Sequence, residues 1–158
     1  MNYDKHARAL QVYGCVKKAL DERQWRYDEQ PDRLYIGTSV TGDDLPMAFI
    51  CEILEEREVA RFLSMLPFDV PEDKRVDVAI AICAINNGFV NGNFDYDAIK
   101  GKIYYRRAVY FGGEKLPEQS VYDGLIAMSL DVIDRYNDAL FEFIEDKTTF
   151  EELMARVS

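Results

Sequence analysis

The chain carries two kinds of hydrophobic pattern. From Asp4 to about Arg23, the residues Leu10, Tyr13, Val16 and Leu20 recur at spacings of three, three and four. Such spacing lines one face of a helix. Strand-like stretches follow at Trp25–Asp28 and across Leu34, Ile36 and Ser39-Val40, parted by the turn signal Gln30-Pro31-Asp32. Gly37 weakens the second of these. Thr41-Gly42-Asp43-Asp44 predicts another turn. Met47–Leu54 is rich in strand formers, and Glu55-Glu56-Arg57-Glu58 is a polar link of hairpin length. Val59–Leu66 fits a helix by propensity. Its shortness, with Pro67 and Pro71 just beyond, favours a strand.

The second half reads with clearer ends. Pro71 to Asn87 predicts a helix, with Pro71, Glu72 and Asp73 suited to its start and Asn86-Asn87-Gly88 to its stop. Val76, Ala79, Ile80 and Cys83 are expected to face inward, widened by Ile82 and Ile85. Strands are expected at about Phe89–Tyr96 and Lys102–Phe111, linked by Asp97–Gly101. A long helix follows from about Pro117 to Glu145, with Val121, Leu125, Met128, Val132, Tyr136, Leu140 and Phe143 as its apolar stripe. A last short helix is expected at Phe150–Arg156, capped by Thr148 or Thr149. No repeat, low-complexity tract or linker interrupts the chain, so the expectation is one domain over residues 1–158.

Antiparallel sheets with one wet face alternate cleanly between apolar and polar positions. These strands do not. In Met47–Leu54, Met47, Phe49, Cys51 and Ile53 oppose Ala48, Ile50 and Leu54, with only Glu52 polar. In Val59–Leu66, Val59, Leu63 and Met65 oppose Ala60, Phe62 and Leu66. In Ile103–Phe111, Ile103, Tyr105, Val109 and Phe111 oppose Tyr104, Ala108 and Tyr110. If helices cover one face, something must cover the other: a second copy, a client polypeptide or further helices. A large exposed apolar patch marks an interaction surface.

Composition narrows the function. Nineteen Lys and Arg against 29 Asp and Glu give a net charge of −10 in 158 residues. That balance argues against phosphate-backbone binding and against docking on an anionic membrane. No uninterrupted apolar run is long enough to span a bilayer, and the N-terminus lacks a signal peptide's apolar core. The chain reads as cytoplasmic, binding neither nucleic acid nor membrane. Cys15, Cys51 and Cys83 are far apart and lack CxxC spacing, so no disulfide framework or zinc site is expected, and each reads as a small buried hydrophobe. His6, the only imidazole, reads as solvated in a frayed first turn.

Catalytic motifs are missing, and no catalytic, metal or cofactor-binding residue is expected. There is no phosphate loop, HExxH, GxSxG or GxGxxG. Asn91–Asp97 spaces oxygen ligands like the start of a calcium loop, but its sixth position is Tyr96 and its twelfth Lys102. A calcium loop needs Gly and Glu there. Carboxylates such as Asp43-Asp44 and Glu55-Glu56 leave open a hydrolase using an acidic pair. A solvated face explains them more simply.

Several short motifs resemble one family. Leu66-Pro67-Phe68-Asp69-Val70-Pro71-Glu72-Asp73-Lys74-Arg75 resembles the run into the central helix of the YbjN family. Ala84-Ile85-Asn86-Asn87-Gly88-Phe89 resembles that helix's Asn-bearing exit. Gly92-Asn93-Phe94-Asp95 and Gly101-Lys102-Ile103-Tyr104-Tyr105-Arg106 look like its hairpin. The resemblance covers about Trp25 to Glu145. Phe62-Leu63-Ser64-Met65 departs from it in being more apolar than a solvent-facing strand. It implies a type III secretion chaperone-like fold and the family's role in bacterial sensory transduction regulation, with no catalytic residues to carry over.

The combined expectation is one α+β domain: an antiparallel sheet with helices packed against it, in the order helix, two or three strands, helix, two strands, long helix. The expected activity is non-enzymatic binding of a polypeptide partner through an apolar sheet or dimer surface, with a homodimer as the assembly. Ile50, Phe62, Tyr104 and Tyr110 are the candidate contact residues, because aromatic anchors dominate such interfaces. The net charge favours basic partners. A hydrolase or a structural subunit of a larger assembly are the alternatives.

Overall fold

The computed structural model describes residues 4–41 and 46–157, without the side chains of Val40, Thr41 and Pro46. The turn expected at Gly42, Asp43 and Asp44 lies outside the described residues. The order is α1 (Lys5–Glu22), β1 (Asp28–Gln30), β2 (Tyr35–Thr41), β3 (Pro46–Leu54), β4 (Val59–Met65), α2 (Arg75–Asn86), β5 (Asn93–Asp97), β6 (Lys102–Tyr110), α3 (Gln119–Ile144) and α4 (Phe150–Val157). The six strands form one antiparallel sheet in the order β1-β2-β3-β4-β6-β5. Val59–Met65 is therefore a strand, and the α+β class and element order follow the sequence reading, with a fourth strand added before α2.

Helix starts are held by side chains. Asp4 accepts the Ala7 amide at 3.0 Å, which caps α1. At α4, Thr149 Oγ1 accepts from the Glu152 amide at 3.2 Å and Glu152 Oε2 accepts from the Thr149 amide at 2.8 Å. This reciprocal pair is a capping box.

Both core clusters lie on one side of the sheet. In the first, α1 and the first half of α3 pack on Ile36, Phe49, Cys51, Ala60 and Phe62. In the second, α2, α4 and the rest of α3 pack on Met47, Phe94, Ile103 and Tyr105. Phe89, Phe94, Tyr105 and Tyr136 stack there with ring centroids 5.2–5.8 Å apart. Such tilted aromatic pairs add stability beyond their buried area. Phe89 was expected in a strand, but it precedes β5 and contributes its ring from a turn. Trp25 likewise precedes β1, and its ring meets Phe49 edge-on at 6.3 Å.

Three helix faces differ from expectation. On α1 the buried set is Ala9, Val12, Tyr13, Val16, Ala19 and Leu20, while Leu10 is exposed. On α3, Tyr122, Ile126 and Ile133 point inward and Val121 and Met128 outward. The largest difference is on α2. Val78, Ala81, Ile82 and Ile85 are buried, and Val76, Ile80 and Cys83 are exposed. The stripes 76-79-80-83 and 78-81-82-85 have the same helical spacing and lie on opposite sides of the helix. Periodicity could not choose between them, and packing against the sheet did.

The short link to β5 is fixed by Asn86 at the end of α2. Its Nδ2 donates to the Phe94 carbonyl at 2.8 Å, and its Oδ1 accepts from the Phe94 amide at 2.7 Å. At the β5–β6 turn, Gly101 has φ of +70°, and a Cβ there would lie 2.4 Å from the Val70 carbonyl oxygen. Only glycine fits that approach. No helix among the described residues is long and apolar enough to cross a membrane.

Candidate functional site

With the helices all on one side, no element among the described residues covers the other face of the sheet. Strand register assembles its surface in rows. Gly37, Ile50, Leu63, Arg106 and Asn93 form the central row. Ala48, Met65, Tyr104 and Asp95 lie on one side of it. Glu52, Arg61 and Ala108, then Leu54, Val59 and Tyr110, lie on the other. Ile50, Leu63, Leu54, Met65 and Tyr104 are half-buried, yet none belongs to either core cluster. Their cover comes from neighbours on the same face.

Three of the four candidate contacts sit on this face. Ile50 and Tyr104 lie within it, and Tyr110 is 62% exposed near its corner. Phe62 does not. It points to the helices, is 1% exposed, and packs on Phe49 at 6.0 Å. Phe62 is thus a core residue and is corrected as such: it pairs across the ladder with Cys51, whereas Ile50 pairs with Leu63. Leu63, not Phe62, is the residue of β4 that shares this face with Ile50, and the sequence reading did not single it out. Counting back from the Glu55–Glu58 turn, with Leu54 opposite Val59, would have found it.

The same face holds two ion pairs across strands. Arg61 Nε donates to Glu52 Oε2 at 2.9 Å, and Arg106 Nε lies 3.1 Å from Asp95 Oδ2. Where β5 begins, a cavity of about 350 Å³ opens between the strands. Arg57, Arg61, Arg106 and Arg107 line it with Leu54 and Ala108, and no carboxylate does. These arginines are dispersed in sequence, so no basic run announced them.

The remaining singled-out residues have structural roles. Cys51 is buried and Cys15 half-buried, but Cys83 is exposed, against the expectation for all three. Among the described residues, no group of His, Cys, Asp and Glu is placed to hold a metal ion. Glu56 reaches Lys5 and Glu55 reaches His6, so this acidic dyad ties the β3–β4 turn to α1. His6 Nδ1 lies 2.9 Å from Glu55 Oε2, and that hydrogen bond and charge raise its pKa above the ordinary 6.5. A raised folded-state pKa means the contact contributes fully at acidic pH and fades as pH rises through the folded value. Proton NMR of the single imidazole is expected to give a midpoint above 6.5. Glu55→Gln is expected to lower it; an unchanged midpoint would show that Glu55 is not the cause.

Comparison with known proteins fits this architecture. The sequence pattern of the YbjN family, described as "Putative bacterial sensory transduction regulator", matches residues 15–142. No curated protein matches the chain. A chain in the crystal structure of the ExsC–ExsE complex superposes with a TM-score of 0.61 at 13% identity, over 84% of this chain and 95% of that one. The crystal structure of YbjN from E. coli, described as "a putative transcription regulator", gives a TM-score of 0.54 at 12% identity, over 75% and 82%. The fold is that of the type III secretion chaperone-like class. By its sequence match over most of its length, the chain belongs to the YbjN family.

Proposed function

We propose that this chain is a non-enzymatic binding module of the cytoplasm, a regulator or chaperone-like adaptor that holds another polypeptide against the uncovered face of its sheet. Two copies associate through that face in the absence of a partner. One observation carries the reading: the helices occupy one side of the sheet, while Ile50, Leu63, Met65 and Tyr104 stand together on the other. Family membership supports it, and a similar fold occurs in a protein–protein complex, ExsC–ExsE. The driving force is removal of apolar area from water, about 25 cal/mol per Å² before the cost of ordering the partners. Tyr104 and Tyr110 supply aromatic anchors at the margins of the apolar row. The ion pairs Glu52–Arg61 and Asp95–Arg106 keep the face soluble when it is empty.

The double substitution Ile50→Asp with Leu63→Asp tests this. Sedimentation is expected to show self-association weakened by at least about tenfold, which is about 1.4 kcal/mol. Circular dichroism is expected to keep the wild-type helix signal. Global unfolding would mean that these side chains are core. Unchanged sedimentation of an associating wild type, or a wild type that stays monomeric and captures no partner, would end the reading.

A further inference from the structure

We propose that the free edge of β6, with the arginine-lined cavity beside it, takes an extended acidic segment of the partner polypeptide as an added strand. The proposal rests on the binding role above and gives the partner its chemistry. It reverses, at this one place, the preference for basic partners that a net charge of −10 suggests.

The backbone provides the first argument. Leu66 N donates to the Ile103 carbonyl at 3.1 Å, and Phe111 N donates to the Glu58 carbonyl at 2.8 Å. These bonds fix Ile103 and Phe111 as facing β4. Backbone groups alternate sides along an antiparallel strand. The groups of Lys102, Tyr104, Arg106, Ala108 and Tyr110 therefore face the β5 side. β5 pairs with β6 only from Lys102 to Arg106. The backbone groups of Ala108 and Tyr110 lie beyond its end with no partner strand, and both residues are exposed. An unpaired edge of this kind is a template for strand addition.

Charge gives the second argument. Four arginines line the cavity from different sides: Arg61 and Arg106 stand on the uncovered face, where Glu52 and Asp95 neutralise them, Arg57 comes from the turn before β4, and Arg107, paired with Phe62, lies on the helix side of β6. Arg57 and Arg107 have no carboxylate partner among the described residues. Arg107 is 4% exposed, and its Nε is buried without a hydrogen bond. A guanidinium such as that of Arg57, exposed and without a counter-charge, attracts a carboxylate, which supplies both the charge and planar acceptors. An extended segment presents every second side chain to one face. Acidic residues alternating on the uncovered face therefore meet Arg61 and Arg106, with Arg57 beside them, and do not reach Arg107 on the other side of β6, while the outward-facing amides of β6 hold the backbone.

The test uses the full chain and a short labelled peptide of alternating Glu and Val, followed by fluorescence anisotropy. The acidic peptide is expected to bind at least about tenfold more tightly than its Lys-Val counterpart. Arg57→Gln with Arg61→Gln is expected to weaken it by at least about tenfold. Ala108→Pro removes an outward amide without touching the β4 ladder and is expected to give a similar loss. Should that variant fold poorly, amide exchange in the wild type replaces it: Ala108 and Tyr110 are expected to gain protection on binding. Equal affinity for the Lys peptide, indifference to the arginine pair, or displacement by inorganic phosphate or a single-stranded oligonucleotide would overturn the proposal. Loss of association in the Ile50→Asp, Leu63→Asp protein alongside failure of the acidic peptide would overturn the edge alone. Arginine-dependent peptide binding with no effect of the Asp pair would uphold the edge and remove the apolar face.

Discussion

Replacing Phe62 with alanine is expected to lower the unfolding free energy by about 3–5 kcal/mol, the range for emptying a buried phenylalanine site. Phe62 lies under α1 and α3, is 1% exposed, and contacts Phe49 at 6.0 Å. Fully buried residues surround it, so neighbours cannot collapse into the space without moving the sheet. Leu63→Ala, one position along the same strand, is expected to cost about 1 kcal/mol or less, because that side chain is half-buried on the uncovered face. Urea unfolding of the two variants reads the difference directly. Equal losses would mean that both faces of β4 are sealed, and the binding surface would lose its basis.

Asn86→Ala is the second large effect, at about 2–4 kcal/mol, since it strands two backbone groups at once. The Asn86 amide occupies both the N–H and the C=O of Phe94 and thereby stands in for a neighbouring strand on the free side of β5. Asn86→Asp keeps the acceptor and loses the donor, so a partial loss is expected. Hydrogen exchange at the Phe94 amide is expected to speed up in Asn86→Ala more than exchange in β3 or β4. Uniform acceleration would mean that the clamp supports the whole fold and not β5 in particular. Phe94 also joins the aromatic cluster with Phe89, Tyr105 and Tyr136, so loosening it reaches the second core.

Local sequence carried most of the architecture. The turn residues around Pro31, Glu55–Glu58 and Gly101 set the hairpins, and Thr149 with Glu152 set the start of α4. The excess of apolar residues on β3, β4 and β6 was also legible, and it is the basis of the candidate site. Facing was harder. Helix α2 offers two apolar stripes of equal spacing, and α1 buries Ala9 and Ala19, which a count of large residues passes over. Within the site, Phe62 and Leu63 differ only in parity, and parity means nothing until a register is chosen. The arginine cluster could not be read at all, because Arg57 and Arg61 meet Arg106 and Arg107 only through the β4–β6 pairing.

The outward stripe on α2 bears on how copies can assemble. Val76 is 71% and Ile80 56% exposed, on the helix layer and so on the opposite side of the molecule from the uncovered sheet face. A particle with two unlike sticky sides has two ways to multiply. Sheet against sheet obeys a two-fold axis and stops at a pair. Sheet against stripe is head-to-tail, leaves a fresh end after each addition, and grows into an open filament unless its rotation closes a ring. Under the binding role proposed above, an occupant on the sheet would remove one of the two surfaces that head-to-tail growth needs.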